Sequence, residues 1–452
     1  MLEKLFHLDD NNTTVRTEVI AGITTFMTMA YILAVNPNML AAAGMDATAV
    51  LIATCLASFL GTICMALMAN YPFALAPGMG LNAYFAYTVC GNMGYDWRVA
   101  LAAVAVEGVI FIVLSLTNVR EAIFNAIPGT LKKGVSAGIG LFIAFIGLQN
   151  GHLVVNNDST LISYVDFAGN FHTEGICAIL ALIGLFIITI LYFKGIKGAI
   201  LIGIVTTWVL GMLAQACGLY EVNAEGGFYS LYPSLQLTDF TKIGETFGQV
   251  FQADFSGVSI TNFIVVLFAF LFVDMFDTIG TLVGVATKAD MLDENEKLPR
   301  IKQALLADAV ATTAGAVFGT STTTTFVESS AGVGAGAKTG LASVVTGFLF
   351  LAAIFFAPVF TAIPGFATAP ALIFVGFLMI GAVMHIDFDD LTEAVPAYLC
   401  LLTMPLMYSI SEGIAMGVIS YVVINLCCGK SRKITPLMYV LAVLFVCKYA
   451  FL

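Results

Sequence analysis

Residues 71–89 read YPFALAPGMGLNAYFAYTV, and residues 319–340 read GTSTTTTFVESSAGVGAGAKTG. Both are apolar enough to sit in a membrane, yet neither suits one continuous helix. In the first, Pro77, Gly78 and Gly80 spoil the helix, and a helix-forming run starts near Leu81 with Asn82 in its first turn. In the second, Ser321 to Thr325 is a β-branched, hydroxyl-rich run that favours extended backbone. A short helix starting near Phe326 would place Glu328 in its first turn. Irregular backbone at bilayer depth is tolerated only where it packs inside protein or lines a wet cavity. Asn82 and Glu328 then occupy equivalent places, each beside the unpaired N–H groups and positive end of a half-helix.

The surrounding chain supplies the membrane context. Its 452 residues are 60% hydrophobic and 10% charged, with mean hydropathy +0.97; soluble domains carry about 25% charged residues. This is the composition of an all-α polytopic membrane protein. The polar start MLEKLFHLDDNNTTVRTE lacks a signal peptide's apolar core, so the first helix, from Val19, reads as an uncleaved span. Apolar runs of spanning length fall near 19–36, 47–69, 98–118, 133–150, 175–193, 198–217, 258–285, 302–319, 340–359, 369–385, 393–410 and 411–428. With the broken segments 72–90 and 320–338 they make about fourteen crossings. A last stretch, 435–451, is either an extra span or interfacial. Nine scattered cysteines show no ligand spacing, so no metal site and no cofactor is expected. A net charge of −11 without a basic stripe excludes nucleic acid as a partner.

Charge placement orients this layout. With the N-terminus inside, 15 of the 18 basic residues, Arg120, Lys288 and Lys297 among them, fall on the cytoplasmic side. Arg98 and Lys242 fall outside and Lys448 is unassigned. The loop 218–256 carries Glu221, Glu225, Asp239, Glu245 and Asp254 against a single lysine and reads as extracellular or periplasmic. Seven crossings precede it and seven follow. An odd number per half inverts the second half, as in many secondary transporters. The broken segments are the third crossing of each half, and such a matched pair points to a midplane binding site.

Residues 272–281, FVDMFDTIGT, add charge to that site. Asp274, Asp277 and Thr281 lie three and four apart, on one helical face. A lipid-facing acid at mid-membrane costs roughly 2.5–3.5 kcal/mol on insertion scales, so Asp274, Asp277 and Glu328 belong at a cavity. Burial disfavours the charged form, and three acids together make at least one a proton carrier. The same oxygens suit Na⁺, and the residues alone favour neither ion. Carboxylates also accept N–H groups of a neutral heterocycle, Asn82 both donates and accepts, and Phe26, Phe85, Phe276 and Phe326 offer ring faces. Secondary candidates for the site are Thr25, Phe26, Phe85, Thr281, Phe326 and Ser329. Gly332 to Thr339, GVGAGAKT, comes close to a phosphate loop, but Ala337 replaces its second glycine and the flanks are membrane segments.

With PGMGLNAYF, FVDMFDTIGT, TTTTFVESSAGVGAG and the N-terminal RTEVIAGITTFMTMAYILAVNP in view, the chain resembles the nucleobase:cation symporter-2 superfamily (xanthine/uracil permease family). Within it, the match is to the adenine/guanine/hypoxanthine permease branch. The resemblance implies fourteen segments in two inverted repeats of seven, with a short strand before the half-helix of segments 3 and 10. It further implies a core domain (1–118 and 257–359, segments 1–4 and 8–11) and a gate domain (119–217 and 360–452, segments 5–7 and 12–14), separated by the loop 218–256. By motif, Asn82, Asp274 and Glu328 would contact a purine base, and Asp277 would handle H⁺ coupling. Thr281 stands where the wider superfamily often has His or Asp. The implied partners are a purine nucleobase, H⁺ and the lipid bilayer of the cytoplasmic membrane; a homodimer is left open. Two other classes were weighed. An anion transporter or channel of the same architecture would want basic residues where this chain has three acids. A membrane enzyme would need a catalytic pair or metal ligands, and no HExxH or Ser/His/Asp grouping is present.

Overall fold

A computed structural model of the chain describes residues 2–117, 127–223, 227–233, 237–288, 291 and 298–451. Arg120, Glu225, Lys297 and the 118/119 domain boundary lie outside this set, as do the side chains of Phe276, Lys288 and Lys448. Among the described residues, nine helical stretches are long and apolar enough to cross a bilayer: Val15–Ala41, Ala47–Ala69, Trp97–Leu116, Gly129–Asn150, Phe171–Phe193, Ala199–Ala216, Gly340–Thr361, Gly365–His385 and Ile410–Cys427. These are segments 1, 2, 4, 5, 6, 7, 11, 12 and 14. Five more complete the fourteen. They are the broken segments 3 (71–92) and 10 (320–338), and the helices Ile260–Lys288 (8), Ile301–Phe318 (9) and Leu391–Leu406 (13). Segment 12 begins four residues earlier than its apolar run suggests, because Pro364 caps it and Pro370 lies inside the helix. The stretch 435–451 is a helix, Pro436–Phe451, packed on segment 14 and meeting segment 8 through a Phe268–Phe445 ring contact at 6.1 Å.

The two broken segments meet at the centre. Segment 3 contributes strand β1 (Leu75–Pro77); a hairpin of β2 (Val154–Asn157) and β3 (Leu161–Tyr164) joins segments 5 and 6; segment 10 contributes β4 (Thr323–Thr325). β1 pairs antiparallel with β4, Leu75 opposite Thr325 and Pro77 opposite Thr323. Antiparallel pairing between the third segments of the two halves is what inversion demands. The pairing also satisfies backbone that has no water to turn to. The Gly78 N–H donates to Thr322 O at 3.0 Å, and the Phe326 N–H to Ala74 O at 2.9 Å. Hydroxyls take up the rest: the Leu75 N–H donates to Thr62 Oγ1 (3.0 Å) and the Ala74 N–H to Ser329 Oγ (3.0 Å).

The helices pack in two groups around this crossing. Segment 9 lies against 2 and 4, segment 11 against 1 and 2, and segment 8 against 4. Separately, segment 5 lies against 12, 13 and 14, and segments 6, 7 and 12 pack together. The groups meet where segments 3 and 8 touch 5, where 8 touches 14, and where 7 touches 1. Segment ends that the charge pattern assigns to one side also meet one another. Lys242 pairs with Asp46 (3.4 Å) and Arg98 Nε donates to Gln249 (2.9 Å) on one side. Lys302 reaches Leu116 O, and Lys430 pairs with Asp390, on the other.

Small residues bring helices within backbone contact, the packing mode that membranes favour. At the crossing of segments 5 and 12, a β-carbon on Gly376 would lie 2.4 Å from Gly140 O, and one on Gly140 would lie 2.8 Å from Gly376 O. No flexible side chain can yield there. Gly376→Ala is therefore expected to destabilise the protein by about 1–3 kcal/mol, seen as a lower unfolding temperature in detergent; an unchanged transition would show that the two helices can separate at no cost.

Candidate functional site

Four elements bring the acidic and amide candidates together: segments 1 and 8 and the half-helices of 3 and 10. The half-helix of segment 3 starts at Met79, two residues before its sequence signal, because Gly78 takes extended backbone at its N-cap (φ −73°, ψ 128°). Asn82 sits in the first turn, its N–H donating to Gly78 O at 2.8 Å. Its side chain is fully buried; Oδ1 accepts from the Ser321 hydroxyl of segment 10, and Nδ2 lies 3.5 Å from Pro77 O. In segment 10 a turn over Phe326–Glu328 follows the strand, so the helix proper is Ser329–Gly334 and Glu328 is its N-cap rather than a first-turn residue. A six-residue helix offers little dipole; the charge on Glu328 is met by a side chain instead. The Tyr31 hydroxyl donates to Glu328 Oε1 at 2.6 Å.

Segment 8 sets its two aspartates in different surroundings. Asp274 is completely buried, with Oδ1 2.8 Å from the Thr278 hydroxyl one turn on. That same hydroxyl lies 3.0 and 3.1 Å from the two carboxylate oxygens of Asp308 in segment 9, and 2.7 Å from Thr324 Oγ1 of β4. Asp277 is only partly buried, as is Glu328. It stands over the start of the segment 3 half-helix, where a β-carbon on Gly78 would be 3.4 Å from Asp277 Oδ2 and 2.7 Å from Thr324 Cγ2. Glycine at 78 is what admits the Thr324 methyl; the carboxylate lies at ordinary contact distance. Asp277 lies within electrostatic range of both Asp274 and Glu328. Two accessible acids thus sit at the crossing, with Asp274 and Asn82 sealed behind them.

The secondary candidates divide similarly. Thr25 is buried against the segment 10 half-helix, where a β-carbon on Gly332 would meet its Oγ1 at 2.0 Å. Its hydroxyl donates to Ala21 O. Phe26 is partly buried and rests edge-on against Phe350 at 5.2 Å. Phe85 and Phe326 are core residues, Ser329 Oγ is taken by the Ala74 N–H, and Thr281 is partly exposed one turn beyond Asp277. A cavity of about 630 Å³ opens beside Met93–Asp96 and Gln252–Val258, where none of these side chains lies.

Three participants escape the motif reading: Tyr31, Asp308 and Glu107. Asp308 and Glu107 are fully buried, and Glu107 Oε2 accepts from the Thr322 hydroxyl at 2.8 Å. Each is a lone acid within an apolar run, the same signal that singles out Asp274. Tyr31 sits where segment 1 breaks between Val15–Met29 and Ile32–Ala41, and nothing in its flanks marks it.

Paired half-helices crossing at mid-membrane, in an inverted repeat, with acids at the crossing, define a secondary transporter. The chain belongs to the permease family whose profile, that of the xanthine/uracil permeases, matches residues 16–416. It is a transporter, not an enzyme. It is 46% identical to the guanine/hypoxanthine permease PbuO of Bacillus subtilis, covering 98% of each chain. It is 42% identical to the adenine permease AdeP of Escherichia coli, covering 100% of this chain and 96% of that one. Among solved structures, the transmembrane domain of a cyanobacterial bicarbonate transporter, BicA, shares the fold. It has a TM-score of 0.63 at 15% identity and covers 89% of this chain and 97% of that one.

The Thr278 hydroxyl bridges Asp274, Asp308 and Thr324. Thr278→Val keeps the shape and removes the bridge, leaving buried acids short of a partner. It should cost about 1.5–3 kcal/mol and lower the unfolding temperature of the purified protein, whereas Thr278→Ser should stay near wild type.

Proposed function

We propose that this protein imports purine nucleobases such as hypoxanthine, guanine or adenine across the cytoplasmic membrane, coupled to H⁺. The observation that carries this reading is the pair of partly exposed carboxylates at the β1–β4 crossing, Asp277 beside Gly78 and Glu328 held by the neutral Tyr31 hydroxyl. A neutral heterocycle with N–H donors suits such acceptors; an anion would be repelled by them. The near-full-length similarity to purine permeases supports the substrate class.

In this reading the group of segments 1–4 and 8–11 is the moving core and the other group the gate. Base and proton enter between them from the outer face, the basic segment ends lying inside. Glu328 accepts an N–H of the purine, and Asn82 matches a donor and acceptor on its edge once it turns from Ser321. Asp274 backs the site through Thr278 and contacts the base directly when it leaves that hydroxyl. Asp277 takes the coupling proton. Neutralising it lowers the cost of carrying the loaded core past the gate, and an empty, deprotonated core faces that cost on return.

Reconstituted vesicles test the reading directly. Labelled hypoxanthine, guanine or adenine should accumulate when the outside is made acid, should cease to accumulate when a protonophore is added, and should be recovered chemically unchanged. Accumulation driven by a Na⁺ gradient instead would replace H⁺ as the coupling ion. Glu328→Ala should abolish uptake while inserting normally, and full activity in that variant would remove Glu328 from the site.

Asp277→Asn separates coupling from binding. Exchange of internal for external base should persist within about tenfold of wild type, since it needs no net proton movement. Accumulation against a gradient should vanish. Retained pH-driven accumulation would move the coupling role to another acid.

A further inference from the structure

We propose that Tyr31 is a positioning residue for substrate binding: its hydroxyl occupies one oxygen of Glu328 and aims the other at the purine. This rests on the reading above that Glu328 accepts a substrate N–H. Four observations carry it. The Tyr31 side chain is completely buried, while Glu328 is only partly so. The hydroxyl–carboxylate contact is 2.6 Å, at the short end of the range for a charge-assisted bond. The bond joins residues 297 apart, from the break in segment 1 to the N-cap of the segment 10 half-helix. A carboxylate on so short a helix has two free torsions beyond χ1 and no other side-chain donor described to hold it; a phenol fixed by packing supplies a rigid anchor.

The backbone beside this contact is held as well. Thr28, one turn before the break, donates to Thr24 O and Thr25 O and lies 3.5 Å from Glu328 O. Gly332 admits Thr25 against the same half-helix. Segment 1 therefore grips the Glu328 turn through its main chain, and Tyr31 adds a side-chain hydrogen bond to the carboxylate beside that of Glu328's own backbone N–H. Asp277 lies within electrostatic range of the same phenol. Pinning Oε1 leaves Oε2 as the directed acceptor. Without the pin the carboxylate samples rotamers in which neither oxygen faces the base, and binding weakens although the fold does not change.

A thermodynamic cycle on the full-length purified protein tests this. Equilibrium binding of labelled hypoxanthine is measured for wild type, Tyr31→Phe, Glu328→Gln and the double variant, with uptake rates normalised to inserted protein. Tyr31→Phe should raise Kd about tenfold, as loss of one hydrogen bond to a charged group allows. Its maximal uptake rate should stay within about twofold of wild type. The double variant should bind no more weakly than Glu328→Gln alone, because Tyr31 acts only through that carboxylate. Tyr31→His, which keeps a ring donor, should recover part of the affinity and serves as the cycle's second arm if Tyr31→Phe inserts poorly. An unchanged Kd in Tyr31→Phe, or losses that multiply in the double variant, would overturn the proposal while leaving Glu328 in the site. An unchanged Kd in Glu328→Gln would overturn the site reading, and this inference with it.

Discussion

Backbone that leaves the helix inside a bilayer must find partners within the protein, and here it finds them in a three-residue antiparallel pairing of two chain segments more than 240 residues apart in sequence, Leu75–Pro77 with Thr323–Thr325. Everything near the site follows from that crossing. It fixes where each half-helix begins and brings Asn82 and Glu328 to the same depth. It presents the hydroxyls of segment 10 to the acids of segments 4, 8 and 9. The inversion of the two halves is the topological condition for it, since two third segments entering from the same face would run parallel.

The acids at this depth are solvated by hydroxyls. Thr278, itself bonded to Thr324, serves Asp274 and Asp308, Thr322 serves Glu107, and Tyr31 serves Glu328. Hydroxyls lower the cost of a buried carboxyl without cancelling its charge. A lysine in the same place would have neutralised the site. The arrangement leaves carboxylates able to respond to a proton or to the N–H groups of a neutral ligand, and it separates two populations. Asp274, Asp308 and Glu107 are fully buried, whereas Asp277 and Glu328 are partly exposed.

Much of the frame was legible in the sequence because membranes leave few choices. Pro77–Gly78 and the run of threonines had to interrupt helices, and their matching positions implied inversion. The extended run of segment 10 was readable from its threonines and the equivalent places of Asn82 and Glu328 from the breaks, whereas the bond of Asn82 to Ser321 emerged only from the fold. What was not legible was side-chain direction. Spacing put Asp274 and Asp277 on one face of a helix, but their surroundings differ: Asp274 is fully buried against the Thr278 hydroxyl, whereas Asp277 is partly exposed. Tyr31 carries no local signal at all; only packing brings it to Glu328 across 297 residues. Asp308 and Glu107 carried the signal of a lone acid in an apolar run and were passed over because no motif surrounds them.

The alternation of hydroxyls along segment 10 has a consequence for assembly. Thr322 and Thr324 reach Glu107 and the Thr278 bridge, while the buried hydroxyls of Thr323 and Thr325 have no described hydrogen-bond partner. In a strand, a shift of one residue exchanges the two sides. Because residues 321–325 read STTTT, a strand displaced by one residue would still present hydroxyls to Glu107 and to the Thr278 bridge. Alignment is then set by the flanks of the run, where Phe326 enters the core and Gly78 leaves room for the Thr324 methyl, and the threonines solvate the acids without choosing the register.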